Sequence, residues 1–228
     1  MSIGPVSDIP AAMLRPDVVL LVGEDLAICR RHMPGQADAV HEHRGFTAEV
    51  RGGCLWVVCA FGSSAMEAIC WELTRAGVVE RVLLAGTAGS LEGYTGPTMV
   101  PVAVVEARSV AQCFDAPPRT WTPSWPLDLP GVASISTDRF YGFSPASDDL
   151  FPAEPGLLEA WGRHRKDDAI VEMEVAAFFH FMEQFAPDVR VAAIKVVANP
   201  VSDLASLTDT ADEAMELAIG AAVRCLQA

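Results

Sequence analysis

The sequence predicts an α/β protein, a single domain with three layers, α/β/α, around a central mixed, mainly parallel sheet. Two observations favour this fold class. Runs of β-branched residues and leucine alternate along the chain with segments of helical spacing. These runs are apolar throughout, as is typical of strands that helices cover on both faces. The 228 residues, 51% of them hydrophobic, can bury one sizeable core, so we expect one domain over 1–228.

The first half of the chain repeats this alternation three times. Residues 17–23 (DVVLLVG) predict a strand, and helical spacing follows. Residues 54–62 (CLWVVCAFG) predict a second strand, followed by a helix over 63–77 that begins at serine and ends at Gly77. Residues 80–90 (ERVLLAGTAGS) predict a third strand, which ends in glycines.

The second half continues the pattern after one long interruption. Residues 98–110 predict a strand, whereas 114–130, with five prolines and two tryptophans, predict an irregular loop. Two more strands are predicted over 131–137 and 188–199. An amphipathic helix over 209–227, acidic at its start, closes the chain.

Composition argues against several classes of function. A formal charge of −14 would repel nucleic acid and anionic membranes over most of the surface, so we expect neither partner. No apolar run is long enough to span a bilayer and no signal peptide is recognisable, so we expect a cytoplasmic protein. Residues 1–16 are predicted to be a flexible or oligomer-contacting arm. The six cysteines contain no Cys-x-x-Cys pair, so neither disulfides nor a zinc site is expected.

Glycines and small polar residues follow several of the predicted strands. Gly23 closes the first strand and Ser63 follows the second. Gly86 and Thr87 lie at the end of the third, and Asn199 ends the last. Ligands of α/β sheets bind at the carboxyl ends of strands, where glycine lets backbone amides approach and a hydroxyl adds a donor. A single turn of this kind is ordinary, but four together favour a site.

Two acids at the edge of an apolar helix strengthen that prediction. In AIVEMEVAAFFHF, residues 169–181, Glu172 and Glu174 flank Met173 directly before a run with helical spacing. Acidic residues are seldom buried unless they are paired. Their position at the start of a core helix, together with the strand ends, indicates a binding site.

With these segments the chain resembles the nucleoside phosphorylase family, which includes purine nucleoside phosphorylase, uridine phosphorylase and methylthioadenosine nucleosidase. The resemblance lies in LLAGTAGSL (83–91), STDRFYG (136–142) and VEMEVAAFFHF (171–181), in that order. It implies a nucleoside phosphorylase-like fold and cleavage of the N-glycosidic bond of a nucleoside or a close analogue. It further implies no metal, no cofactor, and a homo-oligomer, either dimer or hexamer.

The resemblance also assigns roles to residues near the sugar. It implies that Glu174 accepts hydrogen bonds from sugar hydroxyls, with Met173 packed under the sugar and Glu172 lining the same pocket. Such a carboxylate would stabilise the positive charge that develops on a pentose ring in the transition state. Thr87 and the amides around Gly86 would face the incoming nucleophile. Glu174 and Thr87 are therefore candidate catalytic residues.

On the base side, the resemblance implies that Phe140 or Tyr141 stacks on the base, although core packing is the more common fate of such residues. Ser144 falls in the segment where uridine phosphorylase reads its base. Asn199 is a third candidate catalytic residue, because it falls where purine-cleaving members place the aspartate that protonates the base. A second register would put Asp203 there instead.

On the acceptor side, phosphorylases hold phosphate with arginines, and two of those positions are Leu84 and Ala27 here. Arg44 or His43, in a segment predicted to be a solvated loop, would supply the third contact, and Gly23 lies on the same side. The pentosyl group would pass to water in a nucleosidase or to phosphate in a pentosyltransferase. The alternative is a catalytically weak homologue that binds or senses nucleosides.

Overall fold

The computed structural model describes residues 9–22, 26–43, 45–75, 77–91, 94–109, 119–137, 169–200 and 207–228. In these ranges the strands are β1 Asp17–Val22, β2 Ala39–His43, β3 Phe46–Arg51, β4 Cys54–Cys59, β5 Arg81–Ser90, β6 Pro101–Ser109, β7 Thr120–Trp121, β8 Gly131–Ser136, β9 Ala169–Glu172 and β10 Arg190–Pro200. The α-helices are α1 Leu26–His32, α2 Ser63–Thr74, α3 Val175–Phe185 and α4 Leu207–Gln227.

All these strands join one mixed sheet, which confirms that part of the prediction. Its order is β2-β3-β4-β1-β5-β9-β8-β6-β10, with β7 on β6 and a further pairing of β10 with β5. The strands β5, β9, β8, β6 and β10 therefore pair in a closed ring, with β5 at its junction with the open part of the sheet. Parallel and antiparallel pairings are equally frequent among the described strands, five of each, so the sheet is less parallel than expected.

Helices cover both faces of the sheet, as the three-layer prediction requires. Side chains alternate along β1, so that Val18 and Leu20 pack with α2 and α3 while Val19 and Leu21 pack with α1 and α4. The chain is apolar on both faces here because both faces are buried. Four of the described cysteines are buried thiols.

One predicted loop and part of one predicted arm differ from the structure. The segment around His41 and His43 was expected to be a solvated loop, but it forms β2, the edge strand of an antiparallel hairpin with β3. Neither strand of this hairpin is a continuous apolar run, and β2 is partly exposed, so the apolar pattern of the covered strands does not predict it. Within the predicted arm, Ile9, Met13 and Leu14 are buried in the core, so the part of the arm from residue 9 onward packs on the domain.

The proline-rich segment is described from residue 119. It is irregular apart from the two residues of β7, which pair with β6. Within the described ranges, no helix has the length and apolar character to cross a membrane.

Candidate active site

Three buried charged side chains meet where strands β9 and β10 approach the start of α3. Glu172 is the last residue of β9, Glu174 is the residue before the first turn of α3, and Lys195 lies within β10. Each is at most 2% exposed. The sequence pattern predicted the two acids, and the structure adds Lys195 between them. We call these three residues the acidic cluster.

Glu172 is held entirely by the protein. One carboxylate oxygen accepts from the hydroxyl of Ser134 at 2.7 Å and from that of Ser136, and the other accepts from the backbone N–H groups of Glu174 and Val175, each at 2.7 Å. A carboxylate offers about four acceptor positions, so these four donors fill it. The negative charge also satisfies N–H groups at the amino end of α3. The structure thus gives Glu172 a structural role, and a contact with a sugar would require one of these bonds to break.

Glu174 is held at both oxygens but less completely. Its Oε1 accepts from the N–H of Gly62 at 3.2 Å, and its Oε2 accepts from the ammonium of Lys195 at 3.2 Å and from the N–H of Met173 at 3.3 Å. Burial raises the pKa of Glu174 above its ordinary value, the ammonium of Lys195 opposes that rise, and the carboxylate of Glu172 adds to it. Glu174 therefore has the perturbed, buried environment that is typical of carboxyl groups in functional sites, unlike that of a surface residue.

Gly62 fixes one of these contacts through its backbone. It precedes α2 with φ of 97° and ψ of 159°, a conformation that side-chain-bearing residues rarely adopt. This geometry aims its N–H at Glu174, and the neighbouring Ser63 hydroxyl donates to the carbonyl of Met173 at 3.5 Å. Backbone amides after the second predicted strand were expected to approach a ligand. In this structure the N–H of Gly62, which follows β4, positions the carboxylate of Glu174 instead.

Lys195 is the residue that the sequence reasoning missed. Its Nζ lies 3.2 Å from the nearer oxygen of Glu174 and 4.0 Å from that of Glu172. A methyl group at Gly86 would lie 3.5 Å from this Nζ, so the missing side chain leaves room around the ammonium. The available signal was a lone cation inside the apolar run VAAIKVVAN, because a lysine in a strand covered on both faces needs a buried partner.

The thiol of Cys59, at the end of β4, interacts electrostatically with Glu174 and Lys195. Burial raises its pKa to about 12, and the charge of Glu174 contributes while that of Lys195 opposes. A thiol with such a pKa stays neutral at physiological pH, so Cys59 is not an activated nucleophile.

The predicted acceptor residues lie beside this cluster. Gly86 and Thr87 of β5 pair with Lys195 and Val196 of β10. Alternation along β5 directs the partly exposed Thr87 toward the side of α1 and α4, while Gly86 lies on the side of Lys195. Leu84, where phosphorylases carry an arginine by resemblance, is fully buried in the core.

Asn199 lies at the carboxyl end of its strand, as predicted. Its backbone pairs with Gly89 after a local irregularity in register, and β10 ends one residue later at Pro200. The other predicted positions lie outside the described residues; they are Gly23, Arg44, Phe140, Tyr141, Ser144 and Asp203.

The chain is similar to known proteins in its sequence pattern and in its structure. Residues 18–227 match the family model described as the phosphorylase superfamily. None of the curated proteins matches the sequence. Among solved structures, the 5′-methylthioadenosine/S-adenosylhomocysteine nucleosidase of Neisseria meningitidis, in complex with methylthio-immucillin-A, has a TM-score of 0.70 at 15% identity, covering 93% of this chain and 99% of that one.

Two structures from Helicobacter pylori are similarly close. Its futalosine hydrolase has a TM-score of 0.68 at 14% identity, covering 95% of this chain and 99% of that one. An aspartate-to-asparagine mutant of its methylthioadenosine nucleosidase, with 5′-methylthioadenosine in the active site, has a TM-score of 0.69 at 13% identity, covering 94% and 99%. These likenesses confirm the predicted fold, and the low identities mark a divergent chain.

Proposed function

The chain belongs to the phosphorylase superfamily, as its resemblance predicted, and on this premise we propose that it is a nucleosidase. It would hydrolyse the N-glycosidic bond of a nucleoside or a close analogue, giving free base and free pentose. The observation that carries this proposal is the charge of the acidic cluster, in which two buried carboxylates share one ammonium. The relatives of similar fold named above, two nucleosidases and a hydrolase, support the same reaction class.

The acidic cluster can stabilise the positive charge that develops on a pentose ring. As the bond between the anomeric carbon and the base nitrogen breaks, its electron pair leaves with the base and the sugar gains oxocarbenium character. A fixed carboxylate at Glu174 stabilises that charge more than it stabilises the neutral substrate, which lowers the barrier. The partly exposed Met173 would form the apolar floor under the sugar.

The same charge disfavours phosphate as the acceptor. With both carboxylates ionised, the cluster carries one net negative charge, and the ammonium of Lys195 is already bonded to Glu174. A phosphate dianion usually needs arginine donors, and the expected positions are Leu84, which is buried, and Ala27, which is exposed. Neutral water meets no such repulsion. The amides near Gly86 would orient it, whereas the hydroxyl of Thr87 lies on the opposite face of β5 from Lys195.

The reaction balances with water alone. The water oxygen bonds to the anomeric carbon and loses a proton, and the departing base gains one. The amide of Asn199 can donate a hydrogen bond to the base but cannot transfer a proton as a carboxylic acid does. Proton delivery to the base would therefore come from another group or from solvent. The proposal includes a cytoplasmic homo-oligomer, dimer or hexamer, in keeping with the sequence analysis.

Asn199 also favours a second candidate function, a nucleoside-binding protein with little turnover. By resemblance, the position that protonates the base in purine-cleaving members carries an amide here. In keeping with this, an aspartate-to-asparagine mutant of the H. pylori nucleosidase holds 5′-methylthioadenosine in its active site. A binding protein would keep the sugar contacts of Glu174 and lose the chemistry.

A panel of nucleosides separates these functions. The purified protein is incubated with 5′-methylthioadenosine, adenosine, inosine and uridine, with and without phosphate, and base release is followed by chromatography. The proposal expects release at the same rate in both series. Release that requires phosphate would make it a phosphorylase. Thermal stabilisation by a nucleoside without any release would make it a binding protein, since selective binding to the native state raises Tm.

A further inference from the structure

Lys195 is buried and charged, yet neither the sequence pattern nor the proposed reaction gives it a task. We propose that Lys195 is a positioning residue for Glu174: it keeps that carboxylate ionised and turns one of its oxygens toward the sugar. This role rests on the proposed function for its catalytic meaning. The pairing itself rests on the contact between Nζ and Oε2 at 3.2 Å, with both side chains at most 3% exposed.

The contacts of Glu174 determine which oxygen remains for a ligand. The Oε2 atom receives Lys195 and the N–H of Met173, whereas Oε1 receives the N–H of Gly62. An oxygen of a carboxylate accepts about two hydrogen bonds. Among the described residues, these bonds fill Oε2 and leave one position on Oε1, which we assign to a sugar hydroxyl. Lys195 thus fixes the orientation of the carboxylate from the side away from the ligand.

Glu172 does not compete for the ammonium on equal terms. Its four hydrogen bonds already compensate its charge, and its oxygen lies 4.0 Å from Nζ. The charge of Lys195 is therefore directed mainly at Glu174. Removal of Lys195 would leave, of the described donors, the Gly62 and Met173 N–H groups on a buried carboxylate, which favours its neutral form.

The titratable groups around Glu174 agree with this assignment. On the described elements they are Glu172 on β9, Lys195 on β10 and Cys59 on β4, while α2 contributes the N–H of Gly62. Burial and Glu172 both raise the pKa of Glu174, and Lys195 is the opposing charge. The Cys59 thiol is neutral near physiological pH because its pKa is about 12.

A lysine rather than an arginine occupies position 195. The chain contains two lysines against 14 arginines, and one of the two occupies this buried position. An ammonium is a compact charge with three donors, whereas a guanidinium is a wider planar fork. The compact ammonium lies 3.2 Å from Glu174 while Glu172 keeps its own four donors.

A stability cycle tests the pairing without any substrate. Lys195→Met, Glu174→Gln and the double variant are compared with the wild-type chain by thermal and urea unfolding at pH 7. We expect Lys195→Met to lower Tm and the added Glu174→Gln to restore part of that loss, because the second change removes the stranded carboxylate. Equal destabilisation of Lys195→Met and the double variant would overturn the proposal. Lys166→Arg serves as the matched control at the other lysine.

The pH profile tests the catalytic part. On the best-cleaved nucleoside of the panel, Lys195→Met should move the acid limb of kcat to higher pH and lower kcat more than it changes KM. Lys195→Arg, which keeps the charge, should return the limb toward its wild-type position. An unmoved limb in Lys195→Met would contradict the role. If no nucleoside is cleaved, the nucleosidase proposal fails while the stability cycle still decides the pairing.

Discussion

Two charge clusters at different places on the sheet differ in composition. In the first, at the outer hairpin, the buried Glu49 is bonded by Arg30 at 2.5 Å and by Arg51 at 2.7 Å, so that two cations meet one buried anion; the exposed Glu42 also contacts Arg30. We call this the basic cluster. In the acidic cluster, Glu172 and Glu174 meet one cation, Lys195. Both clusters lie in the same domain, but only the charges of the acidic cluster are all buried.

The two clusters differ in how completely the charge of their carboxylates is compensated. Both oxygens of Glu49 are bonded by guanidinium groups, so its charge is compensated by two cations, and a groove of about 720 Å³ opens beside it. The acidic cluster has fewer cations than anions and keeps an incompletely bonded oxygen on Glu174. Incomplete compensation at a strand end, rather than the size of a nearby groove, marks the candidate active site.

The largest expected effect is on turnover, from Glu174→Gln. The amide keeps the shape of the side chain but loses the negative charge that stabilises the developing positive charge on the sugar. We expect base release to fall by roughly 10²- to 10³-fold, as when a comparable electrostatic group is removed from an active site. The measurement is kcat/KM on the best nucleoside of the panel, and unchanged turnover would remove Glu174 from the site.

The next effect is on stability and belongs to the basic cluster. Glu49→Gln leaves Arg30 and Arg51 without their shared carboxylate, and breaking a buried pair costs about 3 to 5 kcal/mol. Because the Arg30 side chain is 36% exposed, we expect about 3 kcal/mol, the low end of that range, by urea unfolding.

Two controls sharpen this result. Glu42→Gln removes an exposed partner of the same arginine, at 3.3 Å, and should change stability by less than about 1 kcal/mol. Nucleosidase activity per folded Glu49→Gln molecule should equal that of the wild type. A large loss of activity at full folding would mean that the basic cluster takes part in the site.

A smaller loss of stability is expected from Ser136→Ala. The Ser136 hydroxyl donates to Glu172 and accepts from the N–H of Ala176 at 2.8 Å, so it joins β8 to the first turn of α3. Its removal should cost about 1 to 3 kcal/mol, because a buried carboxylate and a buried N–H each lose a partner. Urea unfolding measures this loss, and a cost as small as that of Glu42→Gln would contradict the structural role of Glu172.

The smallest effect is a pH dependence of stability that comes from Glu174. The pKa of Glu174 is higher in the folded chain than its ordinary value of 4.5. Its contribution to stability is therefore fully present below that ordinary value and is lost as pH rises through the folded pKa. The stability of the wild type relative to Glu174→Gln should fall as pH rises above 4.5. A stability difference that grows with pH would reverse the sign and reject the environment described for Glu174.

The sequence predicted much of this fold and part of the site, for physical reasons that differ between elements. Continuous apolar runs predicted β1, β4, β5 and β10 because strands covered on both faces need them. The hairpin β2–β3 was missed because neither strand is a continuous apolar run, and the closed ring was missed because the pairing of β10 with β6 is non-local. The acids Glu172 and Glu174 were predicted together, but only their hydrogen bonds reveal that the first is structural. Lys195 was read as part of a strand, since its partners are distant in sequence.

Identifying the acceptor of the pentosyl group tests most directly whether this chain is a nucleosidase. The protein is given its best nucleoside in water enriched in heavy oxygen, with phosphate present, and the sugar product is analysed by mass spectrometry. The account predicts free pentose that carries the heavy oxygen at the anomeric position, with Glu174→Gln nearly inactive in the same assay. A pentose 1-phosphate without the label would contradict it.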